Sequence, residues 1–191
     1  VVPATETCAV RGDEDCDGVG CSDANWDRVA GDASDQRVVG VGIDSQEETF
    51  VLGTFRGTVD FGGGNVTVGG TDWYVTKYDP QGALVWLKLF SATSGVQTPG
   101  GIAVGPTGEV AIGGTVASGS LNVGGTMIVP IGGSGSQGFV VTFDNDGTQR
   151  FLHQVDATVA TEVRSVVITP QGNVAYGGAY SGTLTCTNTP C

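Results

Sequence analysis

Three stretches of this chain carry one pattern, and a repeat constrains architecture before any single residue does. Phe50-Val51-Leu52-Gly53-Thr54 aligns with Val110-Ala111-Ile112-Gly113-Gly114 and with Val174-Ala175-Tyr176-Gly177-Gly178. Gly57-Thr58-Val59-Asp60-Phe61 aligns with Gly119-Ser120-Leu121-Asn122-Val123 and Gly182-Thr183-Leu184-Thr185-Cys186. Tyr74-Val75-Thr76-Lys77-Tyr78-Asp79 aligns with Phe139-Val140-Val141-Thr142-Phe143-Asp144. The offset of about 60–65 residues suits a four-stranded unit with turn-rich inserts. Each unit of such a protein buries its apolar face against the next.

The apolar residues alternate and are β-branched or aromatic, 33 residues are glycine, and good helix formers are scarce. That pattern predicts strands joined by tight turns. The first repeat predicts strands at 38–43, 49–55, 72–78 and 83–90, and the second at 101–104, 109–115, 138–143 and 148–155. The third gives 164–168 and 173–179 and then a Thr/Cys-rich tail. The glycine-rich stretches 57–70 and 119–135 have room for a short extra hairpin each. Asp79-Pro80-Gln81-Gly82, Gly105-Pro106-Thr107-Gly108, Asp144-Asn145-Asp146-Gly147 and Thr169-Pro170-Gln171-Gly172 share one hairpin-turn grammar with a glycine bulge. By that grammar Asp144 and Asp146 cap a turn rather than bind a metal.

Trp26-Asp27-Arg28 echoes Trp86-Leu87-Lys88 and Phe151-Leu152-His153, so residues 25–30 read as the last strand of a repeat. The chain divides into an acidic, Cys-rich cap or linker at 1–24 and repeats at 25–191. Those repeats are a partial one at 25–37, full ones at 38–97 and 98–160, and a partial one at 161–191. The expected fold is all-β, built of β-propeller-like four-stranded blades in an incomplete ring. Two full repeats cannot close a ring of at least four blades. The chain is then a fragment of a longer array, a protomer whose copies close or stack, or an open β array. Unfinished strand edges favour self-association.

The phrase from Gly53 through Phe61 to Gly64 supports a family reading, as do Asp72-Trp73-Tyr74-Val75-Thr76-Lys77-Tyr78-Asp79-Pro80-Gln81-Gly82 and Trp86. Over residues 25–185 the chain resembles the propeller-type repeats of large secreted or surface proteins of myxobacteria and related bacteria. The match is closer in repeat one than in repeat two, where Gly138 stands for Trp73 and Phe151 for Trp86. The resemblance implies four-stranded blades and no assigned activity. Cys8 and Asp13-Glu14-Asp15-Cys16-Asp17-Gly18 resemble the acidic Cys-Asp-Gly metal-binding motifs that precede such repeats, which points to Asp13, Asp15 and Asp17.

The same residues read bottom-up as the first six positions of a calcium loop, with alternate carboxylates and a glycine for the bend. The twelfth position is Ala24, so Asp23 or a backbone carbonyl would have to complete it. The competing reading is a solvated acidic linker. Arg11-Gly12-Asp13 matches an adhesion tripeptide, a pattern too short to carry weight. Cys8, Cys16, Cys21, Cys186 and Cys191 all lie at the chain ends, where disulfides would staple segments without a core. An extracellular or cell-surface location follows as the expectation, and the odd count leaves one thiol over.

Net charge is −12, with eight Lys and Arg spread thinly. Phosphate backbones and anionic membrane surfaces need clustered cations, so binding to neither is expected, and with no apolar run long enough for a span, membrane insertion is not expected. His153 is the single histidine, and no nucleophile elbow, phosphate loop or dinucleotide fingerprint occurs. Trp73 is the aromatic least constrained by the repeat and the candidate for stacking on a sugar. Asn65-Val66-Thr67 is an N-glycosylation acceptor pattern. The leading expectation is a non-enzymatic, exported structural element that assembles with itself. A carbohydrate- or protein-binding module is the alternative, and an enzyme comes last.

Overall fold

The computed structural model describes residues 26–184 apart from Ser94 and Ser134. Among these the chain is all-β, with several antiparallel sheets and no closed one. Strands β1 (Gln36–Ile43), β2 (Thr49–Asp60), β3 (Asn65–Tyr78) and β4 (Leu84–Phe90) form sheet one, a meander in that order. Sheet two takes β5 (Gln97–Val104) and β6 (Val110–Val116), then β9 (Gln137–Phe143) and β10 (Gln149–Gln154). The hairpin β7 (Leu121–Val123) and β8 (Thr126–Ile128) is inserted between β6 and β9. Strands β11 (Ala160–Ile168) and β12 (Val174–Ser181) pair as sheet three.

The extra hairpin expected after each second strand takes two forms. In sheet two it is separate, as β7–β8. In sheet one β2 and β3 simply run on, pairing from Thr49↔Tyr78 out to Asp60↔Asn65 across a break in register after Phe55.

Five turns share one geometry. In each, the first residue's N–H bonds the carbonyl four residues on, and the fourth residue's N–H bonds the carbonyl of the first. They begin at Asp44, Asp79, Gly105, Asp144 and Thr169. The fourth position has positive φ throughout: it is glycine in four turns, Gly82, Gly108, Gly147 and Gly172, and Glu47, at φ 63°, in the fifth. Each first strand is also bulged at one place, between Val38 and Gly40, Pro99 and Gly101, and Val163 and Ser165.

These turns correct the alignment of the second strands. Matched on them, Thr49 is equivalent to Val110 and Val174, so Phe50 corresponds to Ala111 and not to Val110. Pairing agrees, since Thr49 faces Tyr78 and Val110 faces Phe143. A slip of one residue exchanges the two faces of a strand. Matching by apolar type alone puts Phe50 on the wrong side.

The sheets stack face to face. Phe50, Leu52, Trp73, Val75 and Phe90 of sheet one enclose a core with Val110, Ile112, Phe139, Val141 and Phe143 of sheet two. Trp73 stacks on Phe139 with centroids 5.9 Å apart, and Phe90 on Phe143 at 6.0 Å. Trp73 fits because Gly114 lies against it; a Cβ there would sit 2.4 Å from the indole. The opposite face of sheet two, with Ala111 and Val140, packs on Val163 and Val166 of β11. At Gly113 a Cβ would lie 2.6 Å from the Val163 side chain, so the small residue admits the strand. Two hydrogen bonds pin β11 there: the Val163 N–H donates to Thr115 Oγ1 at 3.1 Å, and the Gly138 N–H to Thr161 Oγ1 at 2.8 Å.

Lys77 is buried, faces sheet two and bridges the stack. Its ammonium pairs with Glu48 at 2.7 Å and donates to the Asn145 side chain on the turn of sheet two. A buried ammonium needs such partners, since burial disfavours an unpaired charge.

Candidate functional site

Trp26 begins the described chain, and its surroundings repeat elsewhere. A Cβ on Gly82 would lie 2.6 Å from the Trp26 ring, and Arg28 Nη2 donates to the Gly82 carbonyl at 2.9 Å. A Cβ on Gly147 would lie 3.2 Å from Trp86 and 2.7 Å from Lys88, while Trp86 Nε1 donates to the Asn145 carbonyl at 3.0 Å. Each Trp-x-Arg/Lys segment therefore rests on the third turn of the following sheet. The expected strand at 25–30 does not form: Trp26–Ala30 has no strand pairing, and Asn25 lies outside the described residues. The aromatic match reported a packing position, which needs no hydrogen-bonded neighbour.

Residues after Trp26 are tied down by Asp32. Its carboxylate accepts from the backbone N–H groups of Thr58 and Ser34, both at 2.7 Å, and from Gln36 Nε2 at 2.9 Å. The Thr58 N–H, with that of Ser34 next, lowers its pKa from 3.8 to about 2. On the extended hairpin, the Gly62 and Gly64 N–H groups likewise lower Asp60.

Between this segment and sheet one lies a cleft of about 210 Å³. Trp26 and Arg28 line it on one side, and Val41, Val51, Tyr74 and Tyr78 on the other. Tyr74 packs among Phe55 and Phe61. Burial, and secondarily the neighbouring Tyr78, raises its hydroxyl to about 12, so it stays a neutral phenol. The cleft lies on the face of sheet one turned away from sheet two.

That face has equivalents that are covered. Matched on turns and bulges, Val38, Val41 and Ile43 correspond to Val163, Val166 and Ile168. Val163 and Val166 are 2% and 7% exposed; Val38 and Val41 are 56% and 61% exposed. Sheet one thus presents a contact surface to solvent that sheet three has buried.

The outer face of sheet three is exposed as well. Along β12 every residue after Val174 is exposed, and its outer edge pairs with no strand among the described residues. In sheets one and two the corresponding edge carries β3 or β9. Phe151 stands where Trp86 does, but with no turn beneath it among the described residues, and is half exposed beside His153. His153 lies between Phe151 and Tyr176, with centroids 5.9 and 6.1 Å away.

A polar cleft lies between sheets two and three, lined by Thr107, Glu109, Asp144, Asn145 and Arg150. Each acid is engaged beside its own turn. Glu109 accepts from the Thr107 hydroxyl, which with other local hydrogen bonds lowers its pKa, and Asp144 pairs with Arg150 at 3.1 Å. Asp146 Oδ1 accepts from the Thr148 N–H, a turn cap as the sequence suggested.

Of the expected site residues, Trp73 is corrected: it is 1% exposed, sealed between Phe90 and Phe139, and cannot stack on a ligand. Asp13, Asp15, Asp17, Asp23 and all five cysteines lie outside the described residues. Among the described residues no three His, Cys, Asp or Glu side chains form a metal cluster. Asn65 is exposed at the tip of the β2–β3 hairpin. The exposed strip Val38, Val41 and Ile43 went unrecognised as a surface, although Val38-x-x-Val41-x-Ile43 and Val163-x-x-Val166-x-Ile168 are the same pattern. No protein-family model and no curated protein matches the chain.

Proposed function

We propose that this chain is a non-enzymatic structural element, exported to an oxidising compartment, whose copies assemble through the open ends of the sheet stack. The observation that carries the proposal is the exposure of Val38 and Val41 where the equivalent Val163 and Val166 are buried. Apolar area left in water at a repeat boundary favours association. The shared strand order and turns support reading the sheets as propeller-type blades in an incomplete ring. Terminal cysteines, and calcium held by the acidic segment, would stiffen the joint between copies.

Sedimentation velocity over a hundredfold range of concentration tests this, with and without chelator and under reducing and non-reducing conditions. The expected outcome is a mass that grows with concentration. A chain that remains at 19.3 kDa throughout removes the proposal. A second reading, a carbohydrate-binding module, rests on the Trp26, Tyr74 and Tyr78 lining of the cleft. A glycan array without a hit removes it.

A further inference from the structure

We infer that the joint between copies is a head-to-tail contact in which sheet one of one chain covers the outer face of sheet three of another. This rests on the self-assembly reading and specifies its surfaces. The template is within the chain. Where sheet three meets sheet two, the strip Val163, Val166 and Ile168 lies over Ala111, Gly113 and Thr115 of β6. The equivalents of the strip on sheet one are Val38, Val41 and Ile43, identical in residue type and exposed. The equivalents of the receiving strand on β12 are Ala175, Gly177 and Ala179, all exposed. Two of these three match in type, and the third exchanges Thr115 for a smaller alanine. The two free ends therefore form the two halves of a contact the chain already makes once.

The ends also fit in extent. Among the described residues, sheet three holds strands equivalent to the first and second of sheets one and two. Residues 26–28 of the next copy occupy the position that Trp86-Leu87-Lys88 takes in a fourth strand. The incoming pair β11–β12 would lie over the exposed β1 and inner β2, beside the segment already resting on Tyr78 and Gly82. Val167, 56% exposed on the outer side of β11, would be covered with it. The two surfaces are different patches, so the contact is heterologous and propagates to a ring or a fibre.

Two one-sided variants test the geometry. Val41→Lys blocks the sheet-one surface and leaves β12 free. Gly177→Trp blocks β12 and leaves sheet one free; its Cβ meets only the Ser165 hydroxyl, at 3.3 Å. Val38→Lys and Ala175→Trp form a second pair, and thermal unfolding checks that each variant folds. At a concentration where the parent chain assembles, each variant is expected to sediment as a monomer. An equimolar mixture is expected to give one species at twice 19.3 kDa and nothing larger, because only one joint remains possible. If the parent assembles and the variants assemble equally well, or their mixture stays monomeric, the joint is elsewhere and this inference falls alone. If the parent itself never assembles, both it and the self-assembly reading fall.

Discussion

Glu47 occupies a position that the other four turns give to glycine. Its φ of 63° is the left-handed region, where a Cβ crowds the following carbonyl at a cost of about 1–2 kcal/mol. Glu47 is exposed and lies in the turn that joins β1 to β2. Glu47→Gly is therefore expected to raise stability by about 1 kcal/mol in chemical denaturation, after glycine's own entropic cost is subtracted. An unchanged or lower midpoint would mean that the side chain contributes something its exposure does not show. Asp32 makes a prediction with pH. Its pKa is lowered on folding, so its contribution is complete above the ordinary value of 3.8 and is lost as pH falls toward about 2. The amide signals of Thr58 and Ser34 should then titrate with a midpoint near 2, and Asp32→Asn should abolish that step. A midpoint near 3.8 would show that the carboxylate is not held by those amides.

At the scale of strands and sheets, the turns were the most legible feature. Pro and Gly at fixed offsets dictate backbone angles locally, and four of the five turns announced themselves. The fifth was hidden because Glu47 stands in the glycine's place. That concealment shifts the apparent register of β2, since without a visible turn to anchor it Leu52 matches Ile112 by apolar type. The burial of Trp73 was illegible for a related reason: Gly138 at the equivalent position suggested freedom, whereas Gly114 on the facing sheet makes the hole for the indole. Trp73→Ala should cost about 3–5 kcal/mol, as expected for emptying an aromatic site in a packed core. A loss below about 1 kcal/mol in urea denaturation would contradict that packing. Thr115 joins sheets rather than filling one. Thr115→Val leaves the Val163 N–H without its acceptor in a buried place, a cost of about 1–3 kcal/mol. The loss should appear as faster amide exchange along β11, with β1 and β2 unchanged.

For the molecule as a whole, the stack predicts how stability is distributed. A stack of sheets gains stability from the faces that neighbours bury against one another, so its inner sheet should be the last to open. Strand β6 is buried from end to end and has a sheet on each face; β12 is exposed along nearly its whole length and, among the described residues, pairs only with β11. Hydrogen exchange in the dilute chain should accordingly place β6 and β9 amides near the limit set by global unfolding. Those of β12 should exchange through local opening, with β1 between them. Raising the concentration discriminates further. If copies join through sheet one and sheet three, protection should grow in β1, β11 and β12 together, while β6 and β9 stay where they were. Protection that rises on β12 alone would instead indicate pairing along its free edge. Exchange at one common rate in every strand, at every concentration, would show that the three sheets open as a single cooperative unit, and that the exposed ends are not the weak points their burial indicates.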